Sequence, residues 1–133
     1  MKVHILSKAM FEKAYPKIKD RKDLFFISIL DPDNKVDSLF RGLKTWKFYD
    51  LEEDIATYKA MTFEQAVEIN DYIKENLDKT LVIHCTAGVS RSGAIGEHYW
   101  ELLGGSYKEL IKNNPNVMPS GRVLTYLRVA DKQ

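Results

Sequence analysis

The 133 residues suffice for one domain with a buried core, and 44% hydrophobic and 29% charged residues are ordinary values for a globular protein. The net charge of +1 argues against a dedicated nucleic-acid binder, which needs a surplus of cations to displace counterions. We find no apolar run of membrane-spanning length, no secretory signal, and only one cysteine, which rules out an internal disulfide. We therefore expect a single cytoplasmic domain over residues 1–133, with no membrane or nucleic-acid partner.

The first half of the chain is dominated by strand patterns. Apolar runs rich in β-branched and aromatic residues predict strands over residues 3–6, 24–30 and 46–49. A helix is predicted over residues 7–15, ending before Pro16, because a residue that precedes proline avoids the helical region. Asp50 follows the third predicted strand, at its carboxyl end.

The second half is mainly helical. Thr62 and Gln65 form a predicted capping box ahead of an amphipathic helix, and Ser106 and Glu109 form another ahead of a shorter one. A buried strand is predicted over residues 81–84, and a helix after Arg91 that stops at residues 104–105, both glycine. Apolar residues recur at helical spacing over residues 123–130 and predict a last helix.

This order of elements predicts an α/β fold with a mostly parallel central sheet and helices on both faces. In such sheets, active sites lie beyond the carboxyl ends of the strands. Asp50 and Cys85 both follow predicted strands, so we expect them at the same edge.

The segment from Cys85 to Arg91 carries the clearest chemical signal. Cys85 leaves a buried strand, Arg91 opens a helix, and five short or small residues lie between them, namely Thr86, Ala87, Gly88, Val89 and Ser90. Such a segment can curl so that its N–H groups converge on an anion, and the helix that follows adds its positive end. We therefore predict a phosphate-binding loop.

This environment suits nucleophilic chemistry. Backbone N–H groups and a helix N-terminus lower the pKa of a cysteine, so Cys85 is a candidate thiolate nucleophile. The planar guanidinium of Arg91 can grip two phosphate oxygens at once. The Ser92 hydroxyl can bond the sulfur and assist its departure from the phosphate.

Residues 84–93, His-Cys-Thr-Ala-Gly-Val-Ser-Arg-Ser-Gly, resemble the signature His-Cys-x-x-Gly-x-x-Arg-Ser/Thr-Gly of the protein tyrosine phosphatase superfamily. The resemblance is greatest to the compact dual-specificity-like branch and its small bacterial or phage relatives. It extends to residues 119–124, although Ser120 stands where that branch usually has Asn.

The resemblance implies a cysteine-phosphatase-like fold and hydrolysis of phosphotyrosine, with phosphoserine and phosphothreonine as further candidates. The reaction would pass through a phosphocysteine intermediate, without a cofactor or a metal. We expect a monomer that acts on a phosphorylated protein or peptide. His84 would support the Cys85 backbone and the pKa of the thiol.

Protonation of the leaving oxygen requires a general acid. The candidates are the carboxylates that precede Thr62, namely Asp50, Glu52, Glu53 and Asp54. The family places an aspartate just past a strand, which favours Asp50; Asp54 is the alternative, because either end of the long loop could approach the site.

Other functions use a similar loop. A phosphoinositide phosphatase or an RNA 5′-phosphatase is one alternative, although the loop residues add no further cation. A sulfur-transfer or arsenate-reducing enzyme is another, but arsenate reduction needs resolving thiols that a chain with one cysteine lacks. A non-catalytic phosphate-binding module is disfavoured because cysteine and arginine are both present.

Overall fold

The computed structural model describes residues 1–34 and 42–133. Within these ranges the chain forms one α/β domain of four strands and five helices. In chain order they are β1 (Val3–Ser7), α1 (Lys8–Ile18), β2 (Leu24–Leu30), β3 (Lys44–Lys47), α2 (Phe63–Lys74), β4 (Thr80–Cys85), α3 (Arg91–Leu102), α4 (Tyr107–Asn113) and α5 (Gly121–Asp131). Every helix in the described ranges is too short or too polar to cross a membrane.

The strands form one sheet in the order β1-β4-β2-β3, and all three pairings are parallel. Parallel strands bring their carboxyl ends to a common edge. Ser7, Leu30, Lys47 and Cys85 therefore end their strands on the same side of the sheet. The predicted fold class is confirmed.

Alternation along the strands builds two hydrophobic layers. Val82 of β4 and Phe26 of β2 point to one face, where they pack with Phe11 of α1. Leu81 and Ile83 point to the other face and join a larger core with α2, α3 and α5. Helices thus cover both faces, because the central strands are apolar on both sides.

Two helix starts depend on local side-chain hydrogen bonds. At α2, the Thr62 hydroxyl accepts from the Gln65 N–H, and the Gln65 side chain accepts from the Thr62 N–H. Ser106 and Glu109 repeat the arrangement at α4. Both predicted capping boxes are confirmed.

Two predicted boundaries are wrong. Helix α1 does not stop before Pro16 but continues to Ile18. Pro16 lies in the last turn, so its missing N–H removes only one hydrogen bond close to the point where the helix ends. Strand β3 comprises Lys44–Lys47, two residues earlier than predicted, because it pairs with Ile27–Leu30 and the chain then leaves the sheet at Phe48.

The outer edge of β1 is covered by one amide. The Ile5 N–H donates to Asn114 Oδ1 at 3.0 Å, and Asn114 Nδ2 donates to the Val3 carbonyl at 3.3 Å. The same amide group also donates to the Leu110 carbonyl, which fixes it at the end of α4.

Candidate active site

Cys85 ends β4 in the interior, with 2% of its surface exposed, and α3 begins six residues later at Arg91. We call residues 85–91 the Cys–Arg loop. Its turn depends on Gly88, whose φ is +72°. A Cβ at Gly88 would lie 2.5 Å from the Leu6 carbonyl carbon and 2.6 Å from the Ser7 nitrogen. Only glycine fits there, so the loop can pass close against the end of β1.

Neighbouring segments hold the loop through the backbone. The Lys8 N–H donates to the Thr86 carbonyl at 3.1 Å from the start of α1. On the other side, the Met118 and Ser120 N–H groups donate to the Val89 and Ser90 carbonyls, each at 3.0 Å. These bonds occupy loop carbonyls, while the Gly88 and Val89 N–H groups are directed at the sulfur of Cys85.

The sulfur of Cys85 lies where those N–H groups converge. Burial raises the pKa of Cys85, but hydrogen bonds from the Ser92 hydroxyl and from the Ser92, Val89 and Gly88 N–H groups outweigh it, so the net pKa is lowered. The Ser92 oxygen is 3.0 Å from Sγ. This is the environment of an activated thiolate.

His84 points to the opposite face from Cys85. Its ring is fully buried against Phe11, with ring centroids 4.5 Å apart. Nδ1 lies 3.3 Å from the Cys85 carbonyl and Nε2 lies 2.7 Å from the Ser28 hydroxyl. A neutral ring with its proton on Nδ1 satisfies both contacts. Burial lowers the pKa of His84 to about 4, consistent with the neutral form.

Arg91 is buried at the loop's end, and its contacts leave one edge available. Nη1 donates to Asp31 Oδ1 and to the Phe48 carbonyl, both at 2.7 Å. Nη2 donates to the Thr86 hydroxyl at 3.2 Å. Nε is buried and, among the described residues, has no hydrogen-bond partner. A buried N–H of this kind normally has an acceptor, so the Nε–Nη2 edge is suited to an anion.

The four carboxylates that precede Thr62 lie in different surroundings. Asp50 Oδ1 accepts from the Ser90 hydroxyl at 2.9 Å, so Asp50 touches the Cys–Arg loop directly. Asp54 instead accepts from the Ala60 N–H at 2.9 Å, and this hydrogen bond is the main reason that the pKa of Asp54 is lowered. Glu52 bonds the first turn of α5, and Glu53 is exposed.

A cavity of about 610 Å³ opens over the Cys–Arg loop. Cys85, Arg91 and Asp50 line it, together with Thr86, Ala87, Val89, Ser90, Asp31 and an apolar wall of Tyr49, Leu51, Ile55 and Tyr58. The Tyr49 and Tyr58 rings meet edge to face, with centroids 5.0 Å apart. Neither Ser92 nor Asp54 belongs to this lining.

Sequence analysis did not identify Asp31 as a site residue. It ends up in the cavity because it directly follows β2, whose carboxyl end lies at the same edge as Cys85. That position was a usable signal, since the same argument had selected Asp50. The aromatic wall had no comparable signal, because it depends on how residues 49–58 fold back.

Ser120, which stands where the dual-specificity-like branch usually has asparagine, makes hydrogen bonds of its own. Its hydroxyl accepts from the Val123 N–H at 3.3 Å and caps α5, while its own N–H bonds the Cys–Arg loop. Serine is a good N-cap residue, so the helix start is preserved without asparagine.

No family model and no curated protein sequence matches the chain. Solved structures do. The human tyrosine phosphatase-like serine/threonine/tyrosine-interacting protein gives a TM-score of 0.67 at 15% identity over 98% of this chain and 91% of that one. Human DUSP28 gives 0.67 at 12% identity over 98% and 92%. PTPMT1 in complex with PI(5)P gives 0.58 at 15% identity over 98% and 90%. The chain therefore has the fold of these phosphatase structures, as the resemblance implied.

Proposed function

We propose that this chain, which has the tyrosine phosphatase fold, is a cysteine-dependent phosphatase that hydrolyses phosphotyrosine in proteins or peptides. One observation carries the proposal: Cys85, whose pKa is lowered, and Arg91, whose Nε has no hydrogen-bond partner among the described residues, line the same cavity. A thiolate and a guanidinium that can bind an anion, together in one cavity, suit attack on a phosphate monoester.

In the first step, the Cys85 thiolate attacks phosphorus and the ester P–O bond breaks. The loop N–H groups and Arg91 stabilise the charge on the phosphoryl oxygens. Asp50 gives a proton to the departing phenolic oxygen, for which its place beside Ser90 at the cavity wall qualifies it.

In the second step, water attacks the phosphocysteine and the P–S bond breaks. Asp50, now a carboxylate, takes the proton from the water. The thiolate is restored and inorganic phosphate leaves. The Ser92 hydroxyl, 3.0 Å from Sγ, stabilises the departing thiolate.

The cavity walls support an aryl phosphate as substrate. Tyr49, Leu51, Ile55 and Tyr58 offer apolar and aromatic surface to a phenyl ring above the phosphate. Among the described lining residues Arg91 is the one cation, and it is already paired with Asp31. A lipid or nucleotide carrying several phosphates would meet two carboxylates and no second cation, which disfavours that alternative.

The test is release of phosphate from p-nitrophenyl phosphate and from a phosphotyrosine peptide in the presence of EDTA. We expect turnover by the wild-type chain, and a fall to background in Cys85→Ser. The serine variant should still bind tungstate, because the loop N–H groups and Arg91 remain. No turnover by the wild-type chain, with tungstate still bound, would favour a non-catalytic phosphate-binding module.

A further inference from the structure

Glu52 is exposed and yet makes two hydrogen bonds to the start of α5. Its Oε1 accepts from the Gly121 N–H at 3.1 Å, and its Oε2 accepts from the Arg122 N–H at 2.8 Å. A carboxylate at this end of a helix also meets the positive end of the helix dipole. Glu52 therefore ties the loop of residues 50–61, which we call the acid loop, to α5.

Arg122 completes the attachment from the other side. Its Nη1 donates to the Glu52 carbonyl at 3.0 Å, and its Nε donates to the Met61 carbonyl at 3.0 Å. These carbonyls lie near the two ends of the acid loop. The guanidinium also lies over the Tyr126 ring, 4.7 Å from the centroid, which restricts its rotation.

The start of α5 is bonded in turn to the Cys–Arg loop. The Ser120 N–H donates to the Ser90 carbonyl, and the Ser90 hydroxyl donates to Asp50. Hydrogen bonds therefore connect Asp50 to Ser90, Ser90 to the start of α5, and α5 to Glu52, which is two residues after Asp50. Asp50 is therefore connected to the Cys–Arg loop both directly, through Ser90, and indirectly, through Glu52 and the start of α5.

We propose that Glu52 and Arg122 are positioning residues that hold Asp50 at proton-transfer distance from the leaving oxygen, an inference that rests on the proposed function. A general acid must come within hydrogen-bond reach of the atom it protonates, and small displacements cost much of its effect. Glu52 itself is not the donor: both its oxygens face α5, outside the cavity lining.

The experiment compares Glu52→Gln and Arg122→Lys on phenyl phosphate and on p-nitrophenyl phosphate. Phenolate needs the proton far more than nitrophenolate does. The ratio kcat/KM reports only the first step, in which the leaving group departs, so we expect it to fall on the order of 10-fold with phenyl phosphate and less than about threefold with p-nitrophenyl phosphate. Tungstate affinity should stay within about twofold of wild type, which shows that the Cys–Arg loop is intact.

Glu64→Gln is the matched control, because Glu64 is an exposed carboxylate in the first turn of another helix, α2. It removes the same charge from a comparable place and should leave both rates unchanged. If Glu52→Gln and Arg122→Lys lower both rates equally, or lower neither, the positioning role is refuted.

Asp50→Ala, measured alongside, separates the two hypotheses. If Asp50→Ala shows the leaving-group dependence and Glu52→Gln and Arg122→Lys do not, only the inference that Glu52 and Arg122 position Asp50 fails. If Asp50→Ala itself shows no leaving-group dependence, Asp50 is not the general acid. The proposed mechanism then fails together with the positioning role of Glu52 and Arg122.

Discussion

The hydrogen bonds that hold Nη1 of Arg91 fix the orientation of the whole guanidinium, including the Nε that has no partner among the described residues. Nη1 is committed to Asp31 and the Phe48 carbonyl, so the guanidinium cannot rotate to present a different edge. Asp31 thus fixes the orientation of the guanidinium that we propose as the phosphate ligand.

Arg91→Lys is expected to lower kcat/KM by about 10²-fold or more, close to the effect of Arg91→Ala. A lysine ammonium can pair with Asp31 or approach the phosphate, but its three N–H groups share one nitrogen and cannot direct two parallel hydrogen bonds at two phosphate oxygens as the guanidinium can. Rates on a phosphotyrosine peptide and tungstate affinity check this expectation. A lysine variant within a few-fold of wild type would mean that charge alone matters at this position.

Asp50 and Asp54 are expected to differ sharply when each is replaced by alanine. Asp50→Ala should slow a phosphotyrosine peptide by on the order of 10²-fold and p-nitrophenyl phosphate much less. Asp54→Ala should do little to either rate, since the Asp54 carboxylate closes the turn to Ala60 and its lowered pKa makes it a poor proton donor. The opposite pattern would exchange the two assignments.

How well a residue's place could be predicted depended on how local its determinants are. Cys85 and Arg91 could be grouped from spacing alone, because one strand, one turn and one helix connect them. Asp31 is 60 positions from Arg91, so their 2.7 Å contact exists only after β2 and β4 pair. Spacing along the chain contains no record of that pairing.

Among the elements, the capped helices were the most predictable and β3 the least. A capping box is closed by residues three apart, so Thr62 with Gln65 suffices to start α2. The bounds of β3 are set by its partner β2 rather than by its own short apolar pattern. The order β1-β4-β2-β3 likewise depends on packing between distant segments.

Gly88→Ala is expected to disrupt the Cys–Arg loop. The added methyl would meet the backbone of Leu6 and Ser7, which cannot move aside as a side chain can, and a positive φ adds strain. We expect a loss of unfolding free energy of at least about 2 kcal/mol and a loss of tungstate binding. Urea unfolding and tungstate titration measure the two.

Gly104→Ala is the control for that prediction. Gly104 also has a positive φ, +84°, but no atom lies within 4 Å of the position that its Cβ would take. Gly104→Ala should lower the free energy of unfolding by about 1 kcal/mol and leave activity unchanged. Equal tungstate affinity in Gly88→Ala and wild type would show that the close approach to β1 is dispensable.

For the molecule as a whole, buried His84 makes stability depend on pH. Its pKa is about 4 when folded, whereas an unfolded histidine titrates near its ordinary value of 6.5. Between pH 6.5 and pH 4, His84 is therefore protonated in the unfolded chain but stays neutral in the folded chain. The free energy of unfolding is then highest above that pH and falls as the pH drops towards 4.

We expect His84 to account for about 2 kcal/mol of lost stability between pH 7.5 and pH 5. Urea unfolding at both pH values, on wild type and His84→Gln, gives the comparison. The variant should lose less on acidification. Some loss should persist, since burial also lowers the pKa of His98 and His4. An identical loss in both proteins would show that His84 is not the cause.

The amide of Asn114 has a consequence for encounters between copies of the chain. An open edge of a parallel sheet is a template on which a strand from another molecule can add. At β1 the Ile5 N–H and the Val3 carbonyl are already bonded to Asn114, as a neighbouring strand would bond them. The amide of one side chain thus makes the two hydrogen bonds that a residue of an adjacent parallel strand would make. These two backbone groups are therefore already satisfied and do not invite pairing with a strand from another molecule.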